Sequence, residues 1–464
     1  MSDAPDRSEN LAPPRQGGAQ TARLVRALGL GDSVSLIVGI MVGSGIFLMA
    51  GSIALQLSSL TAVIAVWAFG GLLSLCGAAA LSELGAALPQ AGGLYVYITR
   101  AFGREAGFVY GWSAMALIHA GSLATLAAAI GLYVGPVLNL SRGEQKLLQL
   151  GCIAAFVAIN CLGVAVGKWV QNSLTGAKIA GVAAMTLVLF WRGNFDLLHG
   201  HWAPHGGVHP LAFGVALVAV LWAYDGWHFV SFAAGEVKDP ERTLPRSLLL
   251  GTGLVIVIYL LVNVAYYTVL SPSQIQGTDR VAALATEHAL GSGAALLISL
   301  LITISILGTM NGITFGAARV SYAMAEDGLF FRSFARVHPR FRTPVVATVA
   351  QGAFAAVFTL LGTFQQLFTS YVFTSWIFYG MAVAGVMVLR RREPRLARPY
   401  RCPWYPVTPI FFLLATVGIV ASTFIASFRQ AALGVGLILL GVPLYYLYRL
   451  WDARRVPESR GAGR

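Results

Sequence analysis

Residues 40–47 have the sequence Ile-Met-Val-Gly-Ser-Gly-Ile-Phe and lie in the middle of an apolar segment that extends over roughly residues 31–57. Each glycine weakens a helix by about 1 kcal/mol relative to alanine, so two glycines around Ser44 favour a break. Small residues also form helix-packing faces, which use a spacing of four. Gly39 and Gly43 have that spacing, whereas Gly43 and Gly45 do not. The pattern therefore predicts an unwound stretch in the first segment, with helix packing as the alternative.

A second irregularity interrupts the sixth apolar segment at Trp222-Ala223-Tyr224-Asp225-Gly226-Trp227-His228. Asp225 is the only acidic residue that we place near the middle of an apolar segment. A charge at that depth costs about 3 kcal/mol or more, so it must face a cavity or a partner. An Asp-Gly pair also disfavours helix continuation. We therefore predict a second break, with Asp225 either a neutral carboxyl bonded to exposed backbone or a member of the site itself.

The composition of the whole chain is that of a membrane protein. Of its 464 residues, 57% are hydrophobic and 11% are charged. Soluble domains contain about 25% charged residues, so a soluble globular protein is all but excluded. Each apolar segment is near the roughly 20 residues of a membrane-spanning helix. We predict an all-α polytopic membrane protein with twelve transmembrane helices, at about residues 31–57, 60–88, 105–138, 145–166, 169–193, 209–234, 246–270, 291–325, 344–362, 366–389, 407–428 and 431–450.

The net charge of +13 orients the chain in the membrane rather than binding nucleic acid. With the N-terminus inside, the tails and loops on that side hold 25 of the 32 Lys and Arg residues, and the opposite loops hold five. This bias is the positive-inside pattern. We therefore predict a multi-pass protein of the cell (inner) membrane with both termini cytoplasmic, in contact with the lipid bilayer and a small substrate.

The two predicted breaks lie five segments apart, so the two broken helices run in opposite directions. Broken helices at matching positions of two oppositely oriented halves are typical of inverted-repeat transporters. The halves are then residues 26–200 and 201–395, residues 396–452 form helices 11 and 12, and residues 1–25 and 453–464 are disordered cytoplasmic tails. Free N–H groups at a half-helix N-terminus hold a carboxylate, and free carbonyls hold an ammonium group. A site with both suits a zwitterion, such as an amino acid.

Several stretches, in order and correctly spaced over about residues 25–405, resemble a known family. Residues 43–47 resemble the first-helix motif of the amino acid–polyamine–organocation (APC) superfamily. Residues 82–97 and 234–245 resemble its connections after the second and sixth helices. Residues 311–344 are most similar to the L-type branch and its bacterial relatives. The resemblance implies the leucine-transporter (LeuT)-type fold, a five-plus-five inverted repeat with two appended helices.

The resemblance also implies which residues contact the substrate. Trp222 closes over it, Ala223 and Asp225 lie at the unwound turn with carbonyls available for the ammonium, and Trp376 is an aromatic residue near the pocket. Animal L-type carriers have glycine where this chain has Asp225, a departure that concerns selectivity for the side chain more than the grip on the zwitterion. Backbone groups of the first helix contact the α-carboxylate or α-ammonium at Met41, Gly43, Ser44, Gly45 and Ile46.

Lys178 is a charge inside the fifth apolar segment. Its ammonium either snorkels to the cytoplasmic headgroups or is buried against backbone carbonyls. The position resembles the lysine of sodium-independent family members that occupies the place of sodium in sodium-coupled relatives, which implies that Lys178 tethers the unwound first helix. Thr309 and Asn311 are its predicted neighbours. Exchange of a proton by Lys178 during the cycle is an additional hypothesis.

Together these features predict a sodium-independent amino acid transporter that works by alternating access and exchanges neutral L-amino acids. Proton-coupled symport and transport of cationic amino acids or polyamines are the alternatives. A membrane-embedded enzyme is a remote one, because no metal-ligand spacing such as His-Glu-x-x-His is present in the sequence. We expect no cofactor, no metal and no required partner subunit. Arg319, with Glu326 and Asp327 on the same helix end, is predicted to form an ion network at the inner gate.

Overall fold

The described part of the chain is built of helices. The computed structural model describes residues 24–57, 59–201, 209–362 and 364–455, so most of both predicted tails lies outside it. A π-helical turn at Ala114–Ile118 joins two helices, and 3₁₀ turns lie at Phe229–Glu236 and Arg332–Ala335. The α-helices in chain order are α1 (Leu30–Met41), α2 (Gly45–Gln56), α3 (Leu60–Ala87), α4 (Leu94–Phe102), α5 (Arg104–Ser113), α6 (His119–Val137), α7 (Arg142–Cys161), α8 (Val164–Arg192), α9 (Asp196–His201), α10 (Pro210–Ala223), α11 (Pro240–Val269), α12 (Pro272–Gln276), α13 (Val281–Leu290), α14 (Ala294–Glu326), α15 (Val345–Leu361), α16 (Phe364–Arg392), α17 (Val407–Ala426) and α18 (Phe428–Arg455).

Many of these helices have the length and composition of membrane spans. Within the described residues, eight qualify, and the bent pair α1–α2 adds a ninth if it counts as one span; α10 and α15 are apolar but shorter. Each of the twelve predicted segments overlaps a helix or a broken pair of helices. The structure is thus that of an all-helical, polytopic membrane protein. No sequence signal predicts the short helices α4, α9, α12 and α13, which lie in connections between the long ones.

The predicted break in the first segment is confirmed. α1 ends at Met41, α2 begins at Gly45, and the two are bent by 42° relative to each other. Helix packing, the alternative interpretation of these glycines, also applies, but at Gly39. A Cβ atom on Gly39 would lie 2.1 Å from the Gln171 Nε2 atom of α8. A larger residue at position 39 would displace the Gln171 and Thr175 side chains of α8, so glycine permits this close packing of α1 on α8.

The predicted break in the sixth segment is confirmed as well. α10 ends at Ala223, residues 224–228 form turns, and the chain resumes as a 3₁₀ helix at Phe229. Gly226 has φ +116°, a conformation that residues with a Cβ atom rarely adopt. A Cβ atom there would also lie 2.5 Å from Ile40 Cγ2. The second break therefore packs directly against the end of α1.

Long, unbroken helices surround the two breaks. α11 packs along α3 and against α1, and α14 packs against α1, α6 and α8. α1 also contacts α8. The carbonyls that unwinding releases are therefore enclosed by protein and not by lipid. This placement satisfies the rule that irregular backbone at membrane depth must find partners inside the protein.

Gly226→Ala tests how closely the two breaks are packed. The new methyl group would overlap Ile40 in a backbone conformation that already costs about 1–2 kcal/mol for a residue with a Cβ atom. We expect a lower melting temperature in detergent than that of the control Gly291→Ala. Gly291 also has positive φ, +94°, but has no atom within 4 Å of its Cβ position. Equal melting temperatures for the two variants would show that the Ile40 contact contributes nothing.

Candidate functional site

The two breaks touch at Gly45 and Ala223. A Cβ atom on Gly45 would lie 2.6 Å from the Ala223 Cα atom and 2.8 Å from its Cβ atom. Gly226 is in similarly close contact with Ile40. The unwound residues 42–44 and 224–228 therefore lie side by side, with contacts at both ends. Their free backbone groups belong to one site.

The N-terminus of α2 presents hydrogen-bond donors at this site. Ser44 is the N-cap, and its buried hydroxyl has no hydrogen-bond partner among the described residues. The N–H groups of Phe47 and Leu48 donate to the Ser44 carbonyl. The first amides of a helix, here Gly45 and Ile46, have no intrahelical acceptor. Such an N-terminus favours a negatively charged group.

Lys178 is completely buried and bonded to backbone carbonyls. Its Nζ atom donates to Gly39 O at 2.7 Å and Val42 O at 2.9 Å, both in the first segment, and to Ser305 O of α14 at 2.8 Å. These bonds use the three donors of an ammonium group. The snorkelling alternative does not apply. The ammonium joins the end of α1 to α8 and α14.

Hydroxyl groups of α14 complete this arrangement. Ser305 Oγ donates to Val42 O at 2.7 Å, and Thr309 Oγ1 lies 3.2 Å from Gly39 O and 3.5 Å from Lys178 Nζ. Thr309 is therefore where the sequence predicts it, and Ser305 is an additional member. Predicting Ser305 needed only the helical spacing, because it lies one turn before Thr309.

Asn311 does not join the Lys178 contacts, in contrast to the prediction. Its Nδ2 atom donates to Gly167 O at 3.1 Å and to Gln171 Oε1 at 2.9 Å, and its Oδ1 atom accepts from Asn160 at 3.0 Å. Two residues beyond Thr309 on a helix, Asn311 points to a different face. Asn311 therefore connects α14 to α7 and α8, away from the Lys178 contacts.

Tyr259 connects the two breaks from α11. Its hydroxyl lies 2.5 Å from Met41 O and 3.0 Å from Ala223 O, the carbonyls of the last residues of α1 and α10. A hydroxyl has one proton to donate, so it satisfies one of these carbonyls at a time. Tyr259 is an ordinary core aromatic in the sequence, and no local pattern distinguishes it.

A small cavity lies between the breaks. Its volume is about 30 Å³, which is room for roughly two water molecules. Of the predicted site residues, Ile46, Trp376, Lys178 and Asn311 are not in its lining. Ser122, Thr125 and Tyr371 line it without having been predicted, since they lie on unbroken helices. The lining residues are Ile40, Met41, Gly43, Ser44, Gly45, Ser122, Thr125, Leu126, Trp222, Ala223, Asp225, Phe229, Thr309, Ile313 and Tyr371.

Asp225 presents its carboxylate to the cavity. One oxygen, Oδ1, accepts from the Tyr379 hydroxyl at 2.8 Å and from the Gly226 N–H at 3.0 Å. The side chain is 19% exposed, although it lies at the centre of the helical bundle. Asp225 therefore lines the cavity and also accepts a hydrogen bond from the exposed backbone of the second break.

The side chains of Trp376 and Ile46 pack around the site and do not line the cavity. The Trp376 ring stacks on Phe412 of α17, with ring centroids 5.5 Å apart, and meets Tyr379 edge-on. Trp376 therefore supports Tyr379, which in turn bonds Asp225. The Ile46 side chain is fully buried in the core. Its backbone N–H, rather than its side chain, is the group available at the α2 N-terminus.

A buried ion pair lies near a vestibule of about 1820 Å³, which is on the side predicted to be cytoplasmic and is lined by neighbours of the pair such as Gly235 and Tyr322. Arg319 Nε donates to Glu236 Oε1 at 2.7 Å, and both side chains are completely buried. The predicted partners of Arg319 are therefore wrong. Asp327 instead accepts from the Tyr95 hydroxyl at 2.8 Å, and Glu326 lines the vestibule. Glu236 lies one helical turn beyond Phe232, and sequence alone does not show that it meets α14.

Gly45→Ala tests the contact between the two breaks. The added methyl group would overlap main-chain atoms of Ala223, which cannot move aside as a side-chain tip does. We expect a clear fall in the melting temperature of the purified protein relative to Gly176→Ala. Gly176 is a helical glycine with nothing within 4 Å of its Cβ position. If Gly45→Ala melts at the same temperature as Gly176→Ala, the breaks are not in the close contact described above.

Comparison with known proteins shows which proteins this chain resembles along its length. Residues 28–446 match the family model described as amino acid permease. The serine/threonine exchanger SteT of Bacillus subtilis (strain 168) is 32% identical over 430 residues, 91% of this chain and 97% of that protein. The b(0,+)-type amino acid transporter 1 of Rattus norvegicus is 30% identical, covering 92% of this chain and 89% of its own. The human cystine/glutamate transporter is 29% identical over 96% of this chain and 89% of its own. The likeness extends over the whole described fold rather than one motif.

Proposed function

The chain belongs to the amino acid permease family of the APC superfamily and is an amino acid transporter of L-type-like kind, and from that premise we propose that it exchanges neutral L-amino acids without sodium. Exchange proceeds by alternating access: the central site opens to each side of the membrane in turn. The names of the relatives, which include a serine/threonine exchanger, favour exchange over uniport.

The observation that carries this proposal is the pair of broken helices around one cavity. The donors of the α2 N-terminus, at Ser44, Gly45 and Ile46, suit an α-carboxylate. The carbonyls of the unwound residues 224–228 suit an α-ammonium. The two groups of a free amino acid are joined by one carbon atom, so a site that binds both must have its donors and acceptors close together. The contact of Gly45 with Ala223 supports such a site.

Sodium independence is proposed from the carbonyl partners of Lys178. The Gly39 and Val42 carbonyls are already bonded to an ammonium group. Carbonyl oxygens of this kind bind sodium in transporters with broken helices. A fixed positive charge in their centre removes the vacancy that a cation would fill. The first helix is then held in place without a coupling ion.

We also propose the full topology from the helix order. Residues 26–200 and 201–395 each begin with a broken helix and form the two inverted repeats of the LeuT-type fold, and residues 396–452 add helices 11 and 12. α7, α10 and α15 complete the twelve crossings. The distribution of Lys and Arg supports cytoplasmic termini in the inner membrane.

Asp225 favours a second candidate, transport of cationic amino acids or polyamines. Its carboxylate lines the cavity, and only its Oδ1 atom has the hydrogen bonds described above. A side-chain ammonium would pair with it directly. We favour neutral substrates because the sequence resembles the L-type branch and one of the relatives is a serine/threonine exchanger.

Counterflow in liposomes tests the exchange. The purified chain alone is reconstituted, the liposomes are loaded with unlabelled serine, threonine and alanine, and uptake of labelled serine is measured without sodium or a pH gradient. We expect uptake only in loaded liposomes. Uptake into empty liposomes driven by an inward proton gradient would contradict exchange and support symport. Because no other subunit is present, exchange would also show that none is required.

Lys178→Ala tests the tether. The substitution leaves the Gly39 and Val42 carbonyls without their ammonium donor, and each hydrogen bond to a charged group contributes about 1.5–3 kcal/mol. We expect roughly a tenfold or larger loss of exchange per folded molecule. The control is Lys168→Ala on the same helix, which removes a partly exposed pair with Asp32 that is worth about 0–1 kcal/mol. Normal exchange by Lys178→Ala would exclude the tether.

A further inference from the structure

Two buried histidines lie beside the central cavity and take no part in the site described above. His119 and His228 are each 1% exposed. Within the described residues, both ring nitrogens of His119 and the Nδ1 atom of His228 have no hydrogen-bond partner. Buried polar groups without partners are rare in folded proteins and are costly. Two of them near the substrate cavity therefore need a reason.

His228 is next to the carboxylate that lines the cavity. Its Nδ1 atom lies 3.9 Å from Asp225 Oδ1, within range of an ion pair. The imidazole ring also packs on Tyr379, with ring centroids 4.6 Å apart, and the Tyr379 hydroxyl bonds the same Asp225 oxygen. Asp225 and His228 are thus an acid and a base in one small, enclosed group.

The other titratable groups around this pair leave its charge unbalanced. From α6, His119 contacts the Phe229 and Phe232 rings, which His228 also contacts. On α16, Tyr371 lines the cavity together with Asp225, and the Tyr379 hydroxyl donates to Asp225. Tyr110 of α5 packs edge-on against Phe378 of α16. The basic residue of α14, Arg319, is already bonded to Glu236. Among the described residues, the ion-pair partner of Asp225 is the His228 imidazole, and no Lys or Arg side chain pairs with it.

The position of His119 also points to function. It directly follows the π-helical turn at Ala114–Ile118. Such turns are rare and occur frequently at functional sites. Here the turn precedes the residue that faces the same two phenyl rings as His228. The structure thus places a second imidazole against the same two phenyl rings as His228.

We propose that Asp225 and His228 share one exchangeable proton, and that this proton selects the charge of the substrate side chain. The inference rests on the proposed function and refines its substrate class. With the proton bound, the pair is neutral whichever residue carries it, and the cavity accepts neutral side chains. When the proton passes to water as the cavity opens, the Asp225 carboxylate is unbalanced. The cavity then accepts a cationic side chain.

A competition assay isolates the titration of the protein. The ammonium of lysine has a pKa of about 10.4 in its side chain, so lysine keeps its charge between about pH 5.5 and 8.5. Alanine stays a zwitterion over the same range. The ratio of their inhibitory concentrations therefore reports the protein alone. An effect through Lys178 cancels in this ratio, since Lys178 holds the backbone that both substrates use.

The assay measures exchange of labelled serine in liposomes, with lysine or alanine as competitor, at a series of pH values. For the unaltered protein, we expect the inhibitory concentration of lysine to fall roughly tenfold relative to that of alanine as the pH rises from about 5.5 to 8.5. A tenfold change corresponds to the free energy of about one charge-assisted hydrogen bond. His228→Asn leaves one proton acceptor instead of two, so the midpoint moves to lower pH. Asp225→Asn loses the lysine preference at every pH. His288→Asn, an exposed histidine of α13, leaves the midpoint unchanged.

The outcomes separate this inference from the proposed function. A constant lysine-to-alanine ratio in the unaltered protein overturns the inference without the need for any variant. An unchanged midpoint in folded His228→Asn does the same. Serine exchange persists in both cases, so the proposed function stands. Absence of serine exchange at every pH contradicts the proposed function, and the inference with it.

Discussion

The bonding of one buried ammonium to three main-chain carbonyls is the interaction on which the site depends. A broken helix inside a membrane releases carbonyls that lipid cannot satisfy. A lysine at the same depth is costly unless it is paired. Lys178 satisfies both the released carbonyls and its own buried charge, because its three N–H groups donate to Gly39 O, Val42 O and Ser305 O. The end of α1 is thereby fixed relative to α8 and α14, and α2 begins at a defined place. The place of the proposed substrate donors, Ser44 and Gly45, follows from that position.

Tyr259 and the Arg319–Glu236 pair extend this constraint to the second break and to the vestibule. The Tyr259 hydroxyl lies within hydrogen-bond distance of the carbonyls of both Met41 and Ala223. A movement of either break therefore changes the hydrogen bonding of a group that the two breaks share. The buried ion pair and the backbone bonds of Leu28 with residues 236 and 238 hold the 3₁₀ turn against α14 and against the chain just before α1. The structure combines a small central cavity of about 30 Å³ with a wide vestibule of about 1820 Å³. In the alternating access proposed above, opening inward separates the start of α1 from the 3₁₀ turn that carries Glu236.

The sequence predicts the parts of this site that violate helix rules, and apart from Thr309 it misses the residues on unbroken helices that line or support the site. Gly43, Gly45, Asp225 and Lys178 are anomalous in apolar segments, and each break lies where these anomalies predict it. Tyr259, Tyr371 and Ser305 are ordinary residues of unbroken helices, and only tertiary packing brings them to the breaks. The wrong partners of Arg319 have the same cause. Position along a helix does not fix which neighbour a side chain meets.

The central claim is that backbone groups of the two breaks hold both ends of a free amino acid without sodium. Binding of labelled L-serine to the purified protein in sodium-free buffer tests it most directly, with L-alanine, ethanolamine and N-acetylserine as competitors. Ethanolamine lacks the carboxylate, and N-acetylserine lacks the ammonium group. We expect binding without sodium, competition by L-alanine and none by the other two compounds. A requirement for sodium, or competition by a compound that lacks one of the two groups, would contradict the claim.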